Sequence, residues 1–126
     1  MEKQSFEFIL PTSESPIIKV MGIGGGGCNA VKHMFDKGIK GVDFVICNTD
    51  VQVLESNPIP VKIKLGETGL GAGSKPDVAK KAAEDSSDDI SNILKNNTKM
   101  LFITAGMGGG TGTGAAPVVA KIAKDL

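Results

Sequence analysis

Apolar residues along the chain gather into four short runs, each followed by a glycine-rich or helical stretch. Ile17-Ile-Lys-Val-Met21 leads into Gly22-Ile-Gly-Gly-Gly-Gly27. Asn29 to Lys37 then divides at helical spacing, with Ala30, Val31, Met34 and Phe35 on one face and Lys32, His33, Asp36 and Lys37 on the other; Gly38 suits the C-cap. Val42 to Cys47 reads as a second strand. Val61-Lys-Ile-Lys-Leu65 reads as a third, and its strict alternation predicts an edge strand with one wet face. From Pro76 to about Lys95 a long helical segment places Val78, Ala79, Ala82, Ala83, Ile90, Ile93 and Leu94 at core spacing. Its apolar face weakens at Ser86-Ser87, where a break or kink would fall. Met100-Leu-Phe-Ile-Thr104 is the fourth strand, and Ala115 to Leu126 a closing helix that tolerates Pro117 in its first turn.

Strand, loop and helix repeated in this way predict an α/β fold with a doubly wound parallel sheet and right-handed crossovers over residues 17–126. Residues 1–16, ending Pro-Thr-Ser-Glu-Ser-Pro, read as a flexible N-terminal tail. Leu126 still lies on the apolar stripe of Ala115, Val118, Val119, Ile122 and Ala123, with no stop signal after it. Residues 17–126 therefore read as the first half of a larger domain. Cut there, the fourth strand is expected to stand as an unpaired apolar edge and to make the isolated chain poorly soluble.

If the third strand is an edge, the simplest strand order is 3-2-1-4, with the reversal between strands one and four. Ligands of open α/β sheets bind beyond the strand C-termini at that reversal. The same two strands precede the longest glycine runs, including six glycines within the nine residues 106–114. Each run opens a helix whose free N–H groups and positive dipole end favour an anion, and two of them facing one crevice suit a polyphosphate. Glycine adopts positive φ without strain and, lacking Cβ, lets oxygen atoms reach the amides. Thr111 and Thr113 add hydroxyls between the glycines, and Gly69-Leu-Gly-Ala-Gly73 could close over the distal phosphate.

Gly22-x-Gly24-x-x-Gly27 also fits the dinucleotide fingerprint, with Asp50 near the place of a ribose-binding acid, so an NAD-binding domain of an oxidoreductase is the alternative. The second glycine run argues against it, because a dinucleotide fold has no use for a matching loop after strand four. No Gly-Lys pair occurs in the chain, which excludes a Walker A loop.

Composition narrows the field further. Lysine plus arginine and aspartate plus glutamate number 14 each, so no global field draws the chain to nucleic acid or to a membrane surface. No apolar run approaches the length of a membrane span, and the start carries no signal peptide. Cys28 and Cys47 lie far apart without a CxxC pattern and read as reduced thiols.

Gly106-Met-Gly-Gly-Gly-Thr-Gly-Thr-Gly114 resembles the signature loop of the tubulin family in its bacterial, FtsZ-type form. Gly24-Gly-Gly-Gly-Cys-Asn-Ala30, Asn48-Thr49-Asp50, Gly69 to Gly73 with Pro76, and Ala115-Ala-Pro-Val-Val119 agree in order, so the resemblance runs from Ile17 onward. It implies a cytoplasmic GTPase at the division site that polymerises head to tail with itself into the cell-division ring, with ring and membrane-tethering proteins as further partners. It implies GTP/GDP contacts from Gly25, Gly26, Gly27, Cys28 and Asn29, from Asn48 and Asp50, from Ala72 and Gly73, and from Gly108, Gly109, Gly110, Thr111 and Gly112. Mg2+ would accompany the phosphates. Two departures fall on the loop near the distal phosphate: the segment between Gly66 and Gly69 is short, and Lys75 stands where asparagine is common. In the family, hydrolysis also needs a later Asn-x-Asp-x-x-Asp loop from the neighbouring subunit. Asn48-Thr-Asp-Val-Gln-Val53 begins that way but lacks the final acid, so no catalytic residue is assigned and the chain alone is expected not to complete hydrolysis.

Plainer readings accompany several of these residues. His33 is a surface residue without ligand partners. Glu84, Asp85, Asp88 and Asp89 form a solvated helix face. Cys28 stands at a helix N-terminus, which lowers a thiol pKa, but a small residue tolerated beside the nucleotide is favoured over a redox role. A non-catalytic assembly module holding the nucleotide as structural glue is the third function class.

Overall fold

The four apolar runs become the strands of one sheet. A computed structural model of the chain describes residues 17–106 and 109–126. Its strands are β1 (Ile17–Ile23), β2 (Val42–Asn48), β3 (Val61–Lys64) and β4 (Thr98–Ala105). They pair in parallel in the order β3-β2-β1-β4, the order expected from the alternation of the third strand. Ile23 is level with both Cys47 and Ala105, and Asn48 with Lys64, so the C-terminal ends of all four strands form one rim.

Helices cover both faces. On one side α1 (Gly24–Asp36) and α2 (Val51–Glu55) flank a core of Val20, Cys28, Val31, Ile46, Leu54 and Ile59. On the other, α3 (Pro76–Asp85), α4 (Ser87–Lys95) and α5 (Gly110–Asp125) enclose a larger core that includes Met21, Ile23, Val45, Ile63, Ile90 and Val119. Successive residues of a strand point to opposite faces, which is how β1 sends Val20 to one core and Met21 and Ile23 to the other. In β3, Ile63 is buried while Lys62 and Lys64 are exposed, as an edge strand with one wet face requires.

The long helical segment does break at Ser86. This buried hydroxyl accepts from the Gly66 N–H at 2.9 Å and donates to the Lys64 carbonyl at 3.4 Å, tying the junction of α3 and α4 to the end of β3. Lys19 does similar work at the far end of α4. Its Nζ donates to the carbonyls of Ile93 at 2.6 Å and Asn96 at 3.0 Å, a cation at a helix C-terminus. Burial holds this ammonium below the usual lysine pKa, against the opposing pull of Asp43.

Several expectations shift in detail. The helices after β1 and β4 begin at Gly24 and Gly110, well before Asn29 and Ala115, so most of each glycine run is a first helical turn and not a loop. The short helix α2 was not anticipated. Val78 is exposed while Ala79 and Ala83 are buried; α3 meets α5 where Ala83 packs with Ala115 and Val119 and where a Cβ on Gly114 would collide with the Pro76 carbonyl. Leu126 is also exposed, one turn beyond the packed stripe. The expected tail, residues 1–16, lies outside the described residues.

Candidate functional site

Three segments converge on the rim. Ile23, in extended conformation, delivers the chain into α1 with no side-chain cap on its first N–H groups. Gly109 does the same for α5. Both helices start where the strand order reverses, between β1 and β4, and they start against each other. Gly24 has φ +77°, and a Cβ there would lie 2.9 Å from the Gly112 amide nitrogen; only glycine satisfies both conditions. The third segment joins β3 to α3, and its Ala72 and Ser74 lie against Gly110.

The glycines divide into two kinds. A side chain on Gly27 would strike the Thr104 carbonyl, and one on Gly112 the Gly106 carbonyl, so these glycines serve close packing of helix on strand and loop. Around Gly25, Gly73 and Gly109 there is nothing within 4 Å of where a Cβ would stand. These three are exposed, one on each converging segment; a left-handed φ of +60° accounts for Gly73, whereas packing does not explain the lack of a side chain at Gly25 and Gly109. Open backbone at two uncapped helix N-termini suits an anion with several oxygens.

Polar side chains lock the segments together. Thr49 Oγ1, at the end of β2, lies 2.8 Å from Thr111 Oγ1 in the first turn of α5. Asn48 is buried, and its Oδ1 accepts the Asp50 N–H at 3.1 Å. Asp50 in turn caps α2, its Oδ1 accepting from Gln52 N–H at 2.9 Å. Gly71 N–H donates to the Thr49 carbonyl and Val51 N–H to the Gly69 carbonyl, stitching the third segment to the turn between β2 and α2.

The structure thus brings Gly25, Gly26 and Gly27, Asp50, Ala72 and Gly73, and Gly109, Gly110, Thr111 and Gly112 to one rim. Asn29 is exposed on α1. Gly108 falls outside the described residues. The side chain of Cys28 is buried against the sheet and donates to the Cys47 carbonyl at 3.5 Å. Burial pushes its thiol up to about 11, in spite of the helix N-terminus and hydrogen bonds with Asn48 and Cys47. The Cys28 main chain is engaged as well, its N–H within α1 and its carbonyl by Asn57 Nδ2 at 3.2 Å. The glycine pattern missed Thr49, which the sequence marked only as the middle of Asn48-Thr49-Asp50, two positions after a predicted strand. His33 and the acids Glu84, Asp85, Asp88 and Asp89 are exposed, and no group of three or more His, Cys, Asp or Glu suited to a metal occurs among the described residues.

Residues 17–126 match the family model described as Tubulin/FtsZ family, GTPase domain. The chain belongs to this family. The cell division protein FtsZ of Porphyromonas gingivalis is 53% identical over 131 residues, covering 100% of this chain and 29% of the relative. That of Aquifex aeolicus is 53% identical over 123 residues, covering 95% and 32%. A solved FtsZ dimer from M. jannaschii superposes with TM-score 0.83 at 42% identity, over 88% of this chain and 33% of that one. A protofilament of CetZ2 from Haloferax volcanii with bound GTPγS gives 0.76 at 27%, over 87% and 36%. This Tubulin/FtsZ chain therefore spans about a third of the length of the relatives it matches. The expected fold class and FtsZ-type resemblance are both met, and the NAD-binding alternative gains no support. No helix among the described residues is long and apolar enough to cross a membrane.

Proposed function

We propose that this chain supplies the phosphate-binding part of a GTP-binding, filament-forming subunit of the cell-division ring. The observation that carries the reading is the pair of uncapped, glycine-built helix N-termini, α1 and α5, abutting at the strand-order reversal beside the segment 69–75. GTP is the ligand that this rim would hold, and family membership selects it over other polyphosphates. Free main-chain N–H groups of Gly25 and Gly26 in the first turn of α1, and of Gly109 to Gly112 at the start of α5, donate to phosphate oxygens, while Gly27, Cys28 and Asn29 border the site. Ala72 and Gly73 border the distal phosphate. Each charged hydrogen bond contributes on the order of 1.5–3 kcal/mol. Asn48 and Asp50 also shape the turn between β2 and α2, with Asn48 Oδ1 and Asp50 Oδ1 each holding a main-chain N–H.

Magnesium fits this rim as a companion of the phosphates. No carboxylate cage is formed by the described residues, and Mg2+ keeps waters and phosphate oxygens readily as ligands. When bound it would neutralise phosphate charge. In the whole protein the subunits would assemble head to tail in the cytoplasm at the division site, with ring and membrane-tethering proteins as partners. Hydrolysis would be completed by an acidic loop of the next subunit, of a type absent from this sequence.

The test is equilibrium binding of GTP, ATP and NAD to the chain with magnesium present, with phosphate release followed in the same samples. Selective GTP binding without sustained release is the expected outcome. Preference for NAD would overturn the nucleotide assignment, and steady GTP- and magnesium-dependent release would overturn the need for a second subunit.

A further inference from the structure

Thr49 ties together three of the structural segments at the rim. It follows β2 directly, and its side chain is buried. Its Oγ1 lies 2.8 Å from that of Thr111, 62 positions later, in the first turn of α5. Its carbonyl holds the Gly71 N–H at 3.1 Å, and next to it Val51 N–H donates to the Gly69 carbonyl at 3.0 Å. The hydroxyl reaches one phosphate-facing segment while the main chain of the same residue holds another.

We propose that Thr49 is a positioning residue for phosphate recognition: its hydroxyl donates to Thr111 Oγ1 and so turns the Thr111 proton outward, to an anionic oxygen at the N-terminus of α5. The inference rests on the GTP-binding reading above. A hydroxyl has one proton to give and two lone pairs to accept with. At 2.8 Å one proton lies between the two oxygens, and either residue can supply it. If Thr111 supplies it, none is left for a ligand. If Thr49 supplies it, Thr111 is free to donate. Thr49 is the buried partner and Thr111 the half-buried one, so Thr111 is placed to reach the opening. An anion beside α5 selects the second arrangement, and donation into the Thr111 oxygen polarises its own O–H and strengthens it as a donor.

A double-mutant cycle tests this by calorimetric titration of the chain with GTP and magnesium, using wild type, Thr49→Val, Thr49→Ser, Thr111→Val and the double variant. Thr49→Val is expected to weaken binding roughly five- to tenfold, and Thr49→Ser, which keeps the hydroxyl, to stay within about twofold of wild type. On the Thr111→Val background, Thr49→Val is expected to add nothing. A purely structural Thr49 would give a loss that adds to that of Thr111→Val and that serine does not rescue; either result overturns the relay, as does unchanged binding by Thr49→Val. Should circular dichroism show Thr49→Val unfolded, Thr49→Ala takes its place in the cycle. A wild-type chain that binds no GTP overturns the nucleotide reading and this inference with it, whereas wild-type binding with an additive cycle overturns the relay alone.

Discussion

Cys28 lies in the second turn of α1, near the positive end of a helix dipole, yet its thiol is pushed up to about 11 from 9.0, and that of Cys47 is raised further. Burial causes both shifts; a thiolate in either place would lose its hydration without gaining a cation. The consequence for stability has a definite sign. Between pH 9 and 11 an unfolded chain releases the Cys28 proton while the folded chain keeps it, so the folded state loses ground as pH rises through that window. Cys28 is expected to contribute a loss of about 1–2 kcal/mol there, allowing for residual solvent screening. Urea melts on either side of the window, compared with Cys28→Ala, check it; a variant whose stability falls as steeply as wild type would contradict it. Thr49 makes the complementary point at this scale. A hydroxyl after a predicted strand is an everyday feature of sequences, and only the fold brings it to Thr111.

At the scale of elements, the glycine-opened helices separate two reasons for using glycine. A methyl group on Gly112 meets the Gly106 carbonyl, whereas one on Gly25 meets nothing within 4 Å. Gly112→Ala is therefore expected to cost roughly 1–3 kcal/mol of stability by overpacking. Gly25→Ala should leave stability level or slightly raised, since alanine is the better helix former. Its binding of GTP should instead fall by about tenfold, as an amide loses its approach. Thermal melts and nucleotide titrations of the two variants together check this, and a common loss of both properties would erase the distinction. The strand runs and the Ser86 break were legible because burial and periodicity coincide there. The helix starts at Gly24 and Gly110 were not, because glycine disfavours helix locally and tertiary contact with Gly106, Gly112 and Pro76 overrides that preference. Helix α2 spans five residues, too few for a period to show, although Asp50 as N-cap was a usable signal.

Across the whole molecule, the strand order followed from one local pattern, the alternation of Val61 to Leu65. The same order leaves β4 bonded only to β1 among the described residues, with Met100 49% and Phe102 54% exposed beside an open edge. Such an edge pairs readily with another chain. Self-association rising with concentration is expected in sedimentation velocity, and Phe102→Lys should shift the distribution toward monomer. A monomeric wild type at high concentration would contradict this.

The central place of β1 also governs the order in which this molecule can come into being. β1 can pair with β2 as soon as that strand leaves the ribosome, but its other neighbour, β4, lies roughly eighty residues beyond β1 in the chain, the kind of distant pairing that slows folding. Until then α1 has only half of its rim. The phosphate cradle thus closes only once β4 and α5 have been made, and a nucleotide present during synthesis would meet it only after α5 has emerged.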